Sequence, residues 1–211
     1  MSREANFIEK NTMIKLYGHE MSGNSYKVRL LLELLNIEYE WVKVDLMKGE
    51  HKSTKYLTLN PFGQVPLLID GDIQLADAQA ILVYLGRQYG GDKWLPSGAS
   101  PLAQVSRWLS IAAGEVRQGP ENARLYHLFG VTNINIDRTH QKAKYILNQL
   151  EKHLSMRKWL EFERPTIADI AIFPYVALAN DGKIDLKPYP NLLNWIERIK
   201  KLPNYIPMTG I

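Results

Sequence analysis

The stretch NPFGQVPLL, from Asn60 to Leu68, decides the fold prediction. It places a Pro-Phe-Gly turn directly before Val65-Pro66, and the apolar residues from Val65 to Ile69 are typical of a short buried strand. Proline has no N–H group to donate to a neighbouring strand, so a proline at the start of a buried strand needs a reason. From these residues alone, Pro66 either begins an edge strand in the trans form or marks a sharp bend in the chain.

The segments on either side of this stretch predict a small α/β domain. Apolar and polar residues alternate before it as in half-buried strands, and apolar residues recur at helical spacing from Val28 to Leu35. Asp70-Gly71 supplies a two-residue turn, and Asp77 begins a further helix. The predicted strands cover 13–17, 39–46, 65–69 and 73–75, and the predicted helices cover 26–36 and 77–89. The order βαβ-ββα, with a polar segment in the middle, requires a mixed four-stranded sheet.

The second half of the chain is predicted to be entirely helical. A Gly-, Pro- and Ser-rich segment is typical of a linker, and apolar stripes at helical spacing follow it. Gly119-Pro120 is expected to break the first of these helices. The predicted organisation is a flexible N-terminal extension at 1–12, an α/β domain at 13–90, a linker at 91–100 and an all-α helical-bundle domain at 101–211.

Composition and charge exclude several function classes. The chain has 211 residues, of which 45% are hydrophobic and 23% charged, as is typical of globular proteins. Its net charge of +4 comes from Lys and Arg scattered among Asp and Glu, so no nucleic-acid partner is predicted. The sequence contains no cysteine, which excludes disulfides, a thiolate nucleophile and cysteine-based metal sites.

The sequence also argues against metal and membrane chemistry. It has neither a phosphate-binding glycine loop nor the His/Glu spacing of a metal site. The longest nearly apolar run, at 170–179, is far shorter than a membrane span, and the polar N-terminus lacks the apolar core of a signal peptide. We therefore expect no metal cofactor, no membrane association and a cytoplasmic location.

Three motifs, in order and on the predicted elements, carry a family resemblance. They are SGNSYKVRLLL at 22–32, NPFGQVPLL at 60–68 and LADAQAILVYL at 75–85. From about residue 13 to 205 the chain resembles the cytosolic glutathione transferases, whose first half has a thioredoxin-like fold and whose second half is helical. The resemblance implies that the Val65-Pro66 bond is cis. It also implies that the Val65 backbone is free to pair with glutathione, itself a peptide, as a further strand would.

The resemblance implies where each part of glutathione binds. The γ-glutamyl carboxylate is expected at the N-terminus of the helix beginning near Asp77, where free N–H groups and the helix dipole favour an anion. Asp77 is expected to receive the α-amino group, or else serves only as an N-cap. Ala78 stands where the family usually has a serine, so one hydrogen bond is lost. Gln64 can reach the same carboxylate, whereas His51 and Lys52 lie near the glycyl carboxylate or form an exposed polar loop.

Three residues are candidates for the contact with the glutathione thiol. Ser22 lies six residues before Val28, as the serine does in the family branches that use one. Asn24 lies four residues before Val28, as the asparagine does in a bacterial and fungal-prion-like branch. We expect both to donate to the sulfur and rank Ser22 slightly first, with Tyr17 below them because it lies within the first strand. The same residues are also simply a good helix entry, with Asn24 or Ser25 as the N-cap.

The helical domain is expected to bind the second substrate. Trp108 at helical spacing also suits a core position, and Thr166 with Asp169 fits a capping box, a structural feature. The candidates for lining the second-substrate pocket are Trp108, Arg117, Arg124 and Tyr126.

The resemblance predicts transfer of glutathione to an electrophilic small molecule, as in detoxification. The alternatives are reduction of a disulfide with glutathione and a non-catalytic interaction module of the same fold. The small polar turn at 22–25 leaves room and donors for a thiol, which argues against the module. Phe62 matches a position where some family members insert an aromatic side chain into a partner subunit, so we expect a homodimer; otherwise Phe62 packs on its own domain.

Overall fold

A mixed four-stranded sheet forms the first half of the protein. The computed structural model describes residues 13–211, and the predicted N-terminal extension at 1–12 lies outside the described residues. The strands are β1 Ile14–Gly18, β2 Tyr39–Lys43, β3 Leu67–Asp70 and β4 Ile73–Ala76. They lie in the order β2-β1-β3-β4, with β1 and β2 parallel and the other two pairs antiparallel. The predicted mixed sheet is therefore confirmed.

Helices cover the sheet and form the second half. The α-helices are α1 Gly23–Leu34, α2 Thr54–Leu59, α3 Ala78–Gln88, α4 Gly91–Trp94, α5 Ala99–Ile111, α6 Asn122–Phe129, α7 Ile136–Leu154, α8 Ile167–Ala177 and α9 Pro190–Lys200. The chain also forms 3₁₀ turns at Glu50–Lys52 and Ala179–Gly182 and a π-helical segment at Ala112–Glu121. Within residues 13–211, no helix combines the length and the apolarity that crossing a membrane requires.

Helix α1 lies at the centre of the molecule, between the sheet and the helical half. Tyr26, Val28 and the three leucines at 30–32 are at most 1% exposed. The Tyr26 hydroxyl donates to the Ile206 carbonyl at 2.7 Å, and its ring centre lies 6.4 Å from that of Phe173 on α8. Because α1 buries both its sheet-facing and its α8-facing sides, the two halves share one continuous hydrophobic core.

Gly119-Pro120 does not break the helical chain, so this prediction is wrong. Helix α5 continues through the π-helical segment into α6. A π-helical turn is wider than an α-helical one, which relieves the clash between a proline ring and the carbonyl four residues earlier. A Cβ on Gly119 would lie 2.8 Å from the Ala143 backbone, so this glycine permits close packing against α7.

The segment at 91–100, predicted to be a linker, is partly helical. It contains α4, and α5 begins within it at Ala99. Trp94 and Leu95 are 5% and 2% exposed and belong to the main core. The Gly and Pro residues of this segment therefore mark short turns between packed helices, while the domain limits at 90 and 101 stay predictions.

The capping box predicted from Thr166 and Asp169 is present at the start of α8. The buried Asp169 carboxylate accepts hydrogen bonds from the Thr166 N–H at 2.9 Å, the Leu160 N–H at 3.0 Å and the Trp195 indole at 2.9 Å. Burial raises the pKa of Asp169 to about 6, although these donors favour the anion. One carboxylate thus joins α8, α9 and the segment before α8.

Asp169→Ala is expected to lower the free energy of unfolding by at least about 3 kcal/mol, because buried donors that lose their acceptor cost about 1–3 kcal/mol each. Urea denaturation followed by circular dichroism measures the change. The control is Asp185→Ala, since exposed Asp185 accepts one bond from the Lys187 N–H. The control is expected to lose less than about 1 kcal/mol. Equal losses in the two variants would contradict the role of Asp169.

Candidate active site

Two adjoining cavities lie between the sheet half and the helical half. The larger has a volume of about 370 Å³ and the smaller about 80 Å³. Of the predicted site residues, those lining the larger cavity are Ser22, Asn24, His51, Lys52, Gln64, Val65, Arg117 and Arg124. Those lining the smaller cavity are Asn24, Gln64, Val65, Pro66, Asp77, Ala78 and Arg117. The structure thus brings these predicted site residues together at one continuous cleft, whereas the candidates Trp108, Tyr126 and Tyr17 do not line it.

The N-terminus of α1 presents two hydrogen-bond donors at the larger cavity. Ser22 is the N-cap, and its Oγ accepts from the Ser25 N–H at 3.2 Å, which leaves the Ser22 hydroxyl proton available to donate. Asn24 Oδ1 accepts from Lys27 Nζ at 2.8 Å, and Asn24 Nδ2 donates to Glu121 at 3.4 Å. An amide nitrogen carries two protons, so Asn24 keeps one for a ligand.

Buried charges of opposite sign support Asn24. Lys27 is 0% exposed and its Nζ lies 5.0 Å from the centre of the Tyr175 ring, while Glu121 is 5% exposed. Burial lowers the pKa of Lys27 to about 8, and the Glu121 carboxylate opposes this shift. Burial raises the pKa of Glu121, and Lys27 and Arg117 act against that rise. Each charge therefore favours the charged form of the other, and the Asn24 amide bridges them through its hydrogen bonds to Lys27 and Glu121.

The loop before β3 forms the opposite wall. The Val65-Pro66 peptide bond is cis, and pairing of β3 with β1 begins at Leu67, so Val65 lies beyond the end of the ladder and lines both cavities. The Gln64 carbonyl accepts from the Tyr56 hydroxyl at 2.8 Å and from Asn60 Nδ2 at 2.9 Å. These two bonds hold the loop in place behind the cavity wall.

The start of α3 lies at the smaller cavity. Asp77 is the N-cap, with its side chain accepting from the Ala80 N–H at 3.0 Å. Its φ of 77° falls in the left-handed region, which is uncommon for a residue other than glycine and is one way in which functional sites store strain. The N–H groups of Ala78 and Gln79 belong to the first helical turn and have no acceptor within the helix. They therefore offer an anion two backbone donors.

His51 and Lys52 lie at the far end of the larger cavity, in the 3₁₀ turn Glu50–Lys52. Lys52 Nζ donates to the Phe62 carbonyl at 3.1 Å, which links this turn to the loop before β3. Burial lowers the pKa of His51, and the Lys52 charge lowers it further. His51 is thus held neutral more readily than a free histidine, and the positive charge of this corner comes from Lys52.

The helical wall combines charged and apolar side chains. Arg124 on α6 is 2% exposed; its Nε donates to Asp181 at 2.8 Å and its Nη1 to the Met21 carbonyl at 2.8 Å. Arg117 is half-exposed and donates to Glu121 at 3.4 Å. Apolar residues lining the same cavity are Met21, Leu46, Met47, Leu125 and Phe129.

Trp108 is the predicted site residue that lies elsewhere, so its assignment to the second-substrate pocket is corrected. It is 4% exposed, and its indole N–H donates to Glu161 at 2.8 Å within the helical core. Tyr126, the further candidate on α6, is also not among the residues that line the two cavities. Tyr17 does not line them either, since its ring packs edge-on against Tyr56 at 6.4 Å between ring centres.

Besides the apolar residues of the helical wall, Glu121, Tyr175 and Lys27 lie at or beside the site and were not predicted from the sequence. Glu121 directly follows the Gly-Pro pair that was expected to end a helix, and Tyr175 lies in the apolar run interpreted as core. Lys27 offered a usable signal, because a lysine interrupts the apolar residues of α1 where a buried position is predicted. Among residues 13–211, no cluster of three His, Asp or Glu side chains is arranged to hold a metal ion.

The chain is similar to known proteins over most of its length. Residues 12–87 match the family model described as glutathione S-transferase, N-terminal domain, and residues 133–203 match glutathione S-transferase, C-terminal domain. Glutathione S-transferase 3 of Zea mays is 32% identical over 206 residues, covering 91% of each chain. Disulfide-bond oxidoreductase YfcG of Escherichia coli is 31% identical over 202 residues, covering 90% of this chain and 92% of that protein.

The similarity extends to the three-dimensional structure of a solved protein. The crystal structure of a glutathione S-transferase from Pseudomonas fluorescens matches with a TM-score of 0.88 and 32% sequence identity. The match covers 94% of this chain and 100% of that chain. Both halves of the fold are therefore included in the similarity.

Gly23→Ala is expected to destabilise the protein by about 1–3 kcal/mol, because an added Cβ would lie 2.8 Å from the ring of Tyr175, which is only 6% exposed. The matched control is Gly114→Ala, since a Cβ at this helical glycine meets no atom within 4 Å. Alanine has the higher helix propensity, so the control is expected to gain up to about 1 kcal/mol. Urea denaturation of both variants checks the prediction, and a stabilised Gly23→Ala would contradict it.

Proposed function

Because the chain belongs to the glutathione S-transferase family, we propose that it transfers glutathione, through its thiolate, to a small electrophile. One observation carries the proposal. The Ser22 hydroxyl and the Asn24 amide, at the N-terminus of α1, face the same cleft as the unpaired backbone of Val65 and the start of α3. Donors for a thiolate, an edge for a peptide and donors for a carboxylate thus occur at one site.

Glutathione is proposed to bind along the wall formed by the loop before β3. Its γ-glutamyl carboxylate accepts from the first-turn N–H groups of α3, beginning at Ala78, with help from Gln64. Its α-amino group meets the Asp77 carboxylate. The cysteinyl backbone pairs with Val65, and the glycyl carboxylate extends towards Lys52 and His51. The sulfur then lies at the α1 end of the cleft.

The proposed role of the α1 end is to lower the pKa of the thiol. A free thiol with a pKa of about 8.5 is only about 3% thiolate at pH 7, and a shift of two units requires about 2.7 kcal/mol. Donation from Ser22 or Asn24 to the anion supplies about 1.5–3 kcal/mol. The N-terminus of α1 adds about 0.3–1 kcal/mol, and the buried Lys27 cation has the right sign to add more. These contributions are sufficient for the required shift.

In the proposed reaction the thiolate sulfur attacks an electrophilic carbon. A carbon–sulfur bond forms, and the leaving group departs with the electron pair of the bond that breaks. The thiol proton has already passed to solvent, so no further acid or base is required at this step. Val65 and Asp77 keep the peptide fixed while the sulfur reacts.

Glutathione-dependent disulfide reduction is the second candidate function. It is favoured by the availability of the Asn24 amide and by the 31% identity to the Escherichia coli disulfide-bond oxidoreductase. The same thiolate would attack a disulfide sulfur, forming a mixed disulfide and releasing a thiol. Assays of chloronitrobenzene conjugation beside reduction of a small disulfide distinguish the two, and activity in neither assay favours a non-catalytic interaction module.

A cytoplasmic homodimer that acts in detoxification is the setting we propose for this activity. Phe62 is 79% exposed at the tip of the loop before β3, where a large apolar side chain has no core to join. Burial of this ring in a second copy would remove that exposed surface, and a closed two-fold pair is the commonest oligomer.

The pKa of bound glutathione is expected to rise by about 1–2 units in Ser22→Ala and in Asn24→Ala, and further in the double variant, because each removes a donor to the sulfur. Thiolate absorbance during a pH titration measures it. Ser53→Ala is the control, since Ser53 caps α2 as Ser22 caps α1 but does not line the cleft. An unshifted pKa in the double variant would contradict the role of both side chains and leave a backbone N–H of the α1 N-terminus as the donor, since Tyr17 does not line the cleft.

Asp77→Asn is expected to weaken glutathione binding by about 1.5–3 kcal/mol, because it removes the charge that faces the α-amino group. Asparagine caps helices as well as aspartate and tolerates a positive φ, so the stability should not change. Calorimetry gives the affinity and urea denaturation the stability. An unchanged affinity would show that Asp77 acts only as an N-cap.

A further inference from the structure

One nitrogen of the Arg124 guanidinium group, Nη2, makes no hydrogen bond to residues 13–211. The Arg124 side chain is 3% exposed and lines the larger cavity, on the helical side of the cleft. Within the part of the chain that the structure describes, its Nη2 is buried and has no hydrogen-bond partner. Buried donors on charged groups are almost always paired, so an unpaired one on a side chain that lines a cavity points to a ligand that completes it.

The rest of the guanidinium group is fixed. Nε donates to Asp181 and Nη1 to the Met21 carbonyl, both at 2.8 Å. The guanidinium carbon lies 5.1 Å from the centre of the Phe129 ring, which lines the same cavity. Three contacts on different sides therefore prevent the side chain from turning to satisfy Nη2 elsewhere.

The other charged groups of the cleft do not supply an acceptor for it. Glu121 interacts with Arg117 and Asn24 and lies opposite Lys27. Asp181 already accepts from Arg124 through Nε. No group among residues 13–211 accepts from Nη2, so we expect a ligand to supply the acceptor. An anionic acceptor is preferred, because charge-assisted hydrogen bonds are about twice as strong as neutral ones.

We propose that the second substrate carries a carboxylate on an apolar body and that Arg124 Nη2 binds this carboxylate, an inference that rests on the proposed function. The apolar body packs against Met21, Leu125 and Phe129, which line the cavity next to Arg124. Glutathione itself is held at the other wall, so its own carboxylates are satisfied at α3 and at Lys52. Arg124 thus selects among acceptors and takes no part in activating the thiol.

A matched pair of aryl chlorides makes the inference testable. In 4-chloro-3-nitrobenzoate and 4-chloro-3-nitrobenzamide the thiolate attacks the chlorine-bearing carbon, a carbon–sulfur bond forms and chloride leaves with its electron pair. The two compounds differ in one group, which is a carboxylate in the first and a neutral amide in the second. Their glutathione conjugates can be prepared chemically, so binding is measurable whether or not the protein catalyses the reaction.

Calorimetry with the two conjugates is the decisive experiment. The wild-type protein is expected to bind the carboxylate conjugate at least about fivefold more tightly than the amide conjugate, from the difference between charged and neutral hydrogen bonds. Arg124→Gln is expected to bring this ratio close to one. Arg107→Gln is the control, because Arg107 also pairs with a carboxylate, that of Glu161 at 2.9 Å, but lies outside the cleft. The control should keep the wild-type ratio.

The ratio of the two conjugate affinities distinguishes recognition of the carboxylate by Arg124 from a purely structural role of this residue. Loss of the salt bridge to Asp181 would weaken both conjugates together and leave the ratio unchanged, which would overturn the inference. Equal affinities of the wild-type protein for the two conjugates, together with no preference between the two disulfides described below, would also overturn it, even if Arg124→Gln failed to fold. Binding of glutathione alone, with no turnover of either chloride or of a disulfide, would instead count against the proposed function.

The second substrate could instead be a disulfide that bears a carboxylate, and a second pair of compounds tests this case. Reduction of 3,3′-dithiodipropionate is compared with reduction of bis(2-hydroxyethyl) disulfide, at equal glutathione concentrations. If the protein prefers the charged disulfide and Arg124→Gln abolishes this preference, the carboxylate-bearing second substrate is a disulfide. A preference confined to the aryl chlorides identifies it as a carbon electrophile, and no preference in either pair overturns the inference.

Discussion

The burial of α1 on opposite sides is the constraint on which the rest of the structure depends. A sheet covers only one side of a helix, so a helix that is apolar on two sides needs a second layer. Helix α8 provides it, with Tyr175 in contact with Gly23 and Phe173 beside Tyr26. The two halves therefore share a core along α1, and the N-terminus of α1 emerges in the wall of the cleft between them.

The same burial explains why the site contains charges below its surface. Lys27 is carried into the interface by α1, and a buried cation is tolerable only with acceptors around it. The Asn24 carbonyl oxygen is such an acceptor, and the negative charge of Glu121 also favours the cation. Because Lys27 takes the oxygen end of the Asn24 amide, the nitrogen end is left for Glu121 and the cavity. The hydrogen bond from Lys27 to Asn24 thus makes the burial of Lys27 possible and also orients the Asn24 amide at the site.

Local patterns predicted the sheet, most helices and the residues that meet at the loop before β3 and the start of α3, because these depend on residues close in sequence. Alternation, helix caps and the turn before Val65 act within a few residues of one another. The failures depended on distant neighbours. Trp108 shows helical spacing, but only Glu161, 53 residues away, determines that it faces the core. Likewise, Gly119 follows the rule for a helix break, yet it is the closeness of α7 that requires a glycine there.

The two walls of the cleft differ in what determines their chemistry. The wall formed by the loop before β3 and the start of α3, where we propose that glutathione binds, presents backbone groups at Val65 and the first turn of α3, so the fold itself maintains them through changes of side chain. The helical wall consists of side chains, and single substitutions can alter it without affecting the fold. Arg124 is the exception on that wall, because Asp181 and the Met21 carbonyl fix its direction as firmly as backbone geometry would. Selection of an acceptor therefore depends on one positioned donor, and the net charge of the cleft contributes little because Asp181 and Glu121 each offset an arginine.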